Sequence, residues 1–371
     1  MANEDKSAKY HRLRRRADLL GTAFAGVVLF GLSFTGAAPS LRDLAGGGEG
    51  AITVALMALL LMLGLSAIEF PFAFYQGHVL EHRYGLSTQS LGRWFTDHLK
   101  GVALATALGV MAISIVFATM RLAPDQWWWM SAVVFGVATI GMAHIAPVVL
   151  LPMFYTFKPL ERPDLVDRLM RLATRARTDV MGVFEWGLSS HTKKANAALA
   201  GMGKTRRILL SDTLLADYSE DEIEVILAHE LAHHVHKDLW RGIVVQSAVL
   251  IAGFYVAARL AHALLPTLGL PRPSDPALLP MLMVIGGAWS FLAMPVANAV
   301  SRAQERAADR YALTTTRNVD AFVTAMKRLS QQNLAEEFPS PIVRWLFFSH
   351  PPIRERIDAA RAFAKESQSV A

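Results

Sequence analysis

The residues able to do chemistry concentrate in one stretch, VILAHELAHHVHKD, from Val225 to Asp238. His229 and His233 are four residues apart, which puts both imidazoles on one face of a helix, one turn from each other. Glu230 between them can then reach a water on a shared cation. This is the HExxH arrangement, in which two histidines hold Zn2+ and the glutamate serves as general base in hydrolysis. The flanks specify the helix. Ser219 and Glu222 form an S-x-x-E capping signature, and Ile223, Ile226, Leu227 and Leu231 recur at helical spacing. His234 points off the ligand face and His236 lies almost a turn further on, so both read as polar surface.

A hydrolytic zinc site takes three protein ligands and keeps one position open. The third ligand must come from outside the motif, and the rest of the chain constrains where. Among its 371 residues 53% are hydrophobic and 18% charged, and none is cysteine. The mean hydropathy is +0.31, too apolar for a soluble enzyme of this length. Lack of cysteine excludes thiolate ligands, disulfides and a cysteine nucleophile. Crossing a bilayer takes about 20 mostly apolar residues. By that rule six spans are predicted, near 17–37, 52–75, 101–120, 127–151, 242–265 and 278–299, the second and fourth being the least regular.

Lys6, Lys9, Arg12, Arg14, Arg15 and Arg16 precede the first span, and Lys and Arg near span ends stay cytoplasmic. Both termini and the stretch 157–241 are therefore expected inside, leaving Arg42, Arg121 and Arg272 outside. A basic segment before an apolar run also suits a signal peptide, but the length of the run and the lack of a clean cleavage site favour a retained span. The net charge of +6 and pI near 9.6 are accounted for by this asymmetry, and no nucleic acid partner is expected. Trp127, Trp128 and Trp129 read as an interfacial anchor.

Spans five and six are separated by a short connection and should form an antiparallel hairpin with both free ends in the cytoplasm. His233 precedes span five by about 13 Å of helix at 1.5 Å per residue. Glu305, in SRAQERAADRYA from Ser301, follows span six at a comparable height, so it is the expected third ligand. Asp309 lies one turn beyond, placed to hydrogen-bond the outer nitrogen of a ligand histidine. The competing reading for both is a solvated helix end paired with Arg302, Arg306 and Arg310.

At this point the chain resembles the zinc-dependent CAAX prenyl proteases of the integral-membrane type. The segments FPFAFYQGHVLEHRYGLSTQSLGRWFTDHLK from Phe70, LLPMFYTFKPL from Leu150, NAALAGMGKTRRILLSDTLL from Asn196 and FFSHPPIRERI from Phe347 carry the resemblance beside HExxH and SRAQERAADRYA. It covers roughly residues 65 to 360 in order and spacing. It implies one Zn2+ per chain on His229, His233 and Glu305, with Glu230 as base. It further implies a strand edge at Asn196 and Ala197 that binds the substrate backbone, and a cleft facing His350 and Arg356. His350 could stabilise an oxyanion and Arg356 could pair with a peptide carboxylate. The alternatives are a helix cap at SHPP and a structural ion pair of Arg356 with Glu355 or a neighbour.

The expected fold is mainly α: a polytopic membrane bundle of about six spans enclosing a chamber, with a cytoplasmic zincin-like α+β metalloprotease domain carrying a small sheet. Its parts are a membrane region at 1–157, a catalytic block at 158–241, a transmembrane hairpin at 242–299 and the rest of the catalytic domain at 300–371. Glu69, His144 and Gln246 lie in or near spans, where a chamber would suit them. The chain departs from the eukaryotic pattern at Ala228, Ala232 and His234 around the motif and at Ala198 and Leu199 in the strand. None removes a ligand or the base; they bear on the substrate. The expectation is thus an endopeptidase of peptide or protein substrates in a lipid bilayer, of prokaryotic type and in a bacterial cytoplasmic membrane. A quality-control protease of the heat-shock-induced type, or a non-catalytic zinc-stabilised scaffold or transporter, are the alternatives. A retained Glu230 argues against the last, because a structural site has no use for a base.

Overall fold

The computed structural model describes residues 2–369. Six helical segments are long and apolar enough to cross a membrane: Lys6–Phe34, Ala51–Arg83, Leu91–Leu122, Trp127–Met153, Asp238–Leu268 and Pro276–Thr316. Each contains or overlaps one of the six predicted stretches.

In chain order the helices are α1 (Ala2–Phe34), α2 (Ala37–Leu44), α3 (Ala51–Phe74), α4 (Glu81–Arg83), α5 (Leu91–Leu122) and α6 (Trp127–Ile145). The irregularity of spans two and four has a local cause. Pro71 lies in the last turn of α3 just before a π-helical stretch at Tyr75–Leu80, and Pro147 lies within a second such stretch, Ala146–Leu150. Proline cannot donate its place in the i→i−4 ladder, and a wider turn accommodates the loss.

The catalytic block follows. It comprises β1 (Phe157–Pro159), α7 (Pro163–Arg175), β2 (Val183–Trp186), β3 (Ala197–Ala200), β4 (Arg207–Ser211), α8 (Asp212–Asp217) and α9 (Glu220–Val235). The sheet order is β1-β2-β4-β3; β2 and β4 are parallel and the outer pairs antiparallel. Then come α10 (Asp238–Leu268), α11 (Leu279–Thr316), α12 (Val319–Gln332), α13 (Pro341–Phe347) and α14 (Ile353–Ser369).

The two largest apolar clusters among the described residues hold these layers. In the catalytic part, Leu165, Leu169 and Leu172 of α7 meet Ile208 and Leu210 of β4, Ile223, Leu227 and Leu231 of α9 and Phe322 of α12. Each such buried side chain contributes about 1.5–3 kcal/mol. In the membrane part, Met57 and Leu61 of α3 pack with Phe117, Met120 and Trp127 and with Ala258, Ala261 and Ile285 of the α10–α11 pair.

Trp127 corrects the reading of the three tryptophans as one anchor. It is 1% exposed and meets the edge of Phe254, whereas Trp129 is 45% exposed. Three consecutive residues on a helix point about 100° apart, so a WWW run cannot share one environment.

Candidate metal centre

The α9 helix starts as its sequence dictates. Ser219 Oγ accepts from the Glu222 backbone N–H at 3.3 Å, and the Ser219 N–H donates to Glu222 Oε2 at 2.8 Å. Such a cap contributes about 1 kcal/mol. It also fixes the helix phase, so that Ile223, Leu227 and Leu231 face the core while His229, Glu230 and His233 turn toward α11 and the cleft.

Glu305 on α11 meets them there. His229 Nε2 lies 3.3 Å from Glu305 Oε2, and His233 Nε2 lies 3.4 Å from Glu305 Oε1. All three ligand atoms fall within 4.8 Å of one another. A tetrahedron with spokes of 2.0–2.1 Å has edges of about 3.3–3.4 Å, so the spacing is that of a zinc-sized ion. Glu305 Oε2 is buried and has no hydrogen-bond partner among the described residues. A carboxylate oxygen held that way is costly unless a cation completes it. The donor set therefore fits a divalent metal.

The histidines are oriented from behind. His229 Nδ1 lies 2.9 Å from Asp309 Oδ1, and Asp309 is held by two hydrogen bonds from Arg356, Nε at 2.8 Å and Nη2 at 2.5 Å. His233 Nδ1 lies 3.0 Å from Asp238 Oδ2. Burial disfavours a charged His229, but the carboxylates of Asp309 and Glu305 facing its two nitrogens outweigh this and push its pKa up to about 9. The field that holds a proton there also attracts a metal cation, whose binding releases that proton. Burial pushes the Glu230 carboxyl above the ordinary carboxylate range, with His229 and His233 pulling the other way.

Asp238 is the positioning residue that the sequence reading missed. It lies five residues after His233, off any shared helix face. Lys237 makes the juxtaposition, because its left-handed backbone (φ 58°) ends α9 and lets α10 start at Asp238. The available signal was the acid just beyond the motif, in HVHKD.

Asn196 and Ala197 sit at the outer edge of the sheet, since β3 is its last strand. A cavity of about 610 Å³ joins them to Glu230, His350 and Arg356. His350 is 59% exposed, and its Nε2 lies 3.2 Å from Glu305 Oε1. The loop that carries it is fixed by Arg302, whose Nη1 donates to the carbonyls of Arg344 and Phe348. Arg302 was expected only as a possible surface partner of the acids; it is 8% exposed and serves the loop instead. Arg356 is buried and commits two donors to Asp309, while Glu355 pairs with Arg306 and Arg344. His234 and His236 are outside the ligand cluster, and His236 packs against the ring of Tyr311. Gln246 borders a separate cavity of about 330 Å³ between α5, α6, α10 and α11; Glu69 and His144 are exposed.

A bundle of six candidate spans, joined to an HExxH helix and to a glutamate delivered by the last span, defines an integral-membrane metalloendopeptidase. The chain belongs to peptidase family M48, whose family model matches residues 159–364. A second model, described as CAAX prenyl protease N-terminal, five membrane helices, matches residues 2–156, where this chain has four of its candidate spans. The uncharacterized metalloprotease YhfN of Bacillus subtilis is 31% identical over 76% of this chain and 68% of its own length. The CAAX prenyl protease 1 homolog of Arabidopsis thaliana is 29% identical over 78% and 69% respectively. In fold, the crystal structure of S. mikatae Ste24p matches with a TM-score of 0.86 at 22% identity, over 97% of this chain and 89% of that one. The protein is thus a multi-pass membrane metalloprotease related to the CAAX prenyl proteases.

Proposed function

We propose that the protein is a zinc endopeptidase that cuts peptides of membrane-associated proteins at the cytoplasmic face, with His229, His233 and Glu305 as ligands and Glu230 as base. The observation that carries this is the buried Glu305 carboxylate, set at ligand spacing beside two imidazoles with its Oε2 lacking a hydrogen bond among the described residues. Zn2+ there would supply Lewis-acid polarisation of water and of the scissile carbonyl. The chain's own groups do the rest. A peptide lies along the β3 edge at Asn196 and Ala197, its backbone hydrogen-bonded as an added strand. Glu230 takes the proton of the attacking water and passes it to the leaving amine. His350 stabilises the negative charge that develops on the carbonyl oxygen. Arg356 acts through Asp309, holding His229 in one tautomer.

Purified protein should hydrolyse peptides, lose that activity to a chelator and regain it with about one equivalent of Zn2+. Chelator-insensitive hydrolysis would exclude the assignment.

The cytoplasmic orientation rests on the Lys and Arg distribution and on a contact. Ser7 and His11 of the basic N-terminal helix hydrogen-bond the Leu334 carbonyl of the catalytic part, and Arg15 pairs with Glu336, which supports one side for both. Reporter fusions at residue 200 and at the C-terminus should read cytoplasmic; a reading on the opposite side would reverse the orientation.

A further inference from the structure

The stretch from the end of α12 through α13 is tied to the membrane spans at two points. On one side, Glu336 pairs with Arg15 of α1 at 2.5 Å. Arg15 stands just ahead of Asp18, the last charged residue before the apolar run of span one. On the other side, Asn298 Nδ2 of α11 donates to the Leu346 carbonyl at 2.6 Å, and Arg302 Nη1 donates to the Arg344 carbonyl at 3.2 Å. No charged residue occurs from Leu278 to Ser301, so Arg302 is the first beyond span six. Helices α1 and α11 are neighbours in the bundle. The segment 336–346 therefore bridges two adjacent spans at the level where each leaves its apolar run.

Within this segment α13 is built the wrong way round for a helix in water. Of its residues PIVRWLF only Arg344 is charged, and that side chain turns to Glu355 at 2.5 Å. No residue of the helix is buried. Ile342 is 70% exposed, and Trp345, three residues on and so on the same face, is 57% exposed. Phe338, ahead of the Ser340 cap, is exposed as well. A contiguous apolar surface of this kind marks a contact with a membrane or another protein. Its height decides between them. Leu292 and Val296 of span six are exposed apolar side chains; Val296 lies about two and a half turns before Glu305, on the side of α11 away from the metal site. Asn298 is only about 3 Å further along the same helix, so α13 hangs where the apolar surface of the span ends.

We propose that segment 336–346 is an interfacial anchor, with Phe338, Ile342 and Trp345 inserted at the boundary between lipid headgroups and acyl chains on the catalytic side of the membrane. Tryptophan is enriched at that depth, and an interfacial helix lies in the membrane plane with its apolar face sunk about 5–10 Å. The inference rests on the membrane spans and not on the peptidase reading. It gives the bilayer a contact with the site, because α13 runs through Phe347 and Phe348 into the loop that sets His350 Nε2 3.2 Å from Glu305.

The chain has no cysteine, so Ile342→Cys and Trp345→Cys each give the full-length protein one attachment point. Each variant is labelled with an environment-sensitive fluorophore and reconstituted in phosphatidylcholine vesicles containing lipids brominated near the head or near the end of the acyl chain. Both labels should be quenched by brominated lipid at least about twofold more than a label at Lys327→Cys, and more by bromine near the head of the chain, as the shallow depth of an interfacial helix requires. Lys327 is an exposed residue of α12. Iodide on both sides of the membrane should quench the label at 327 and spare the other two. Quenching at 342 and 345 by iodide and not by lipid puts α13 in water, outside the bundle or in a chamber between the spans, and overturns the proposal. Shielding from both quenchers marks a protein contact, a second copy of the chain included, and overturns it equally.

Discussion

Glu230→Gln should lower kcat by about a thousandfold or more while the protein still folds and retains its metal. A general base contributes about 10²–10⁴-fold, and here the same carboxylate serves twice, for the water and then for the leaving amine. Glutamine preserves the shape of the cleft wall but can accept no proton. Metal content should stay near that of the wild type, because Glu230 lies outside the ligand set of His229, His233 and Glu305. Steady-state hydrolysis combined with metal analysis checks both halves. Activity within tenfold of the wild type would show that another group takes the proton.

Glu305→Ala should lose the metal and, with it, all detectable hydrolysis. Glu305 is 6% exposed and stands against three imidazoles, those of His229, His233 and His350. Its removal takes away one ligand and the only carboxylate among the three. What remains is a pair of histidines held from behind by Asp309 and Asp238, one donor short of the three that a hydrolytic zinc site takes from the protein. His229→Ala should behave alike in metal content, with Asp309 and Arg356 left facing each other. Elemental analysis after dialysis against a weak chelator is the measurement. Retention of one full equivalent by either variant would mean that the metal sits elsewhere.

The parts of this site that were legible in the sequence are those set by local periodicity. HExxH points to two candidate ligands and the proposed base because the helix repeat fixes their directions, and six apolar runs mark the candidate spans. Glu305 was within reach only because two spans joined by a short connection must return to the same side. Asp238 and Asn333 were not legible. The first depends on a left-handed Lys237 between two helices, a backbone state that lysine rarely adopts and that no pattern announces. The second depends on a side-chain carboxamide that reaches from far along the chain to hold both the N–H and the carbonyl of Ala195. Arg302 was read as a surface partner of the acids because arginines on helix ends usually face water, and its burial against carbonyls decided otherwise; Arg356 does line the cleft, but its donors are held by Asp309.

One feature of α11 reaches beyond the site. Pro295 lies inside that helix, in its membrane segment and ten residues before Glu305, and removes one rung of the backbone ladder. From this joint to Glu305 is about 15 Å of helix. Metal bonds tolerate displacements of about 0.2 Å, which a swing of only about one degree at Pro295 would exhaust. Transmembrane helices answer a change in hydrocarbon thickness by tilting. One continuous helix thus links the lipid around the last span to Glu305, and a metal held at the site would resist a tilt of that span.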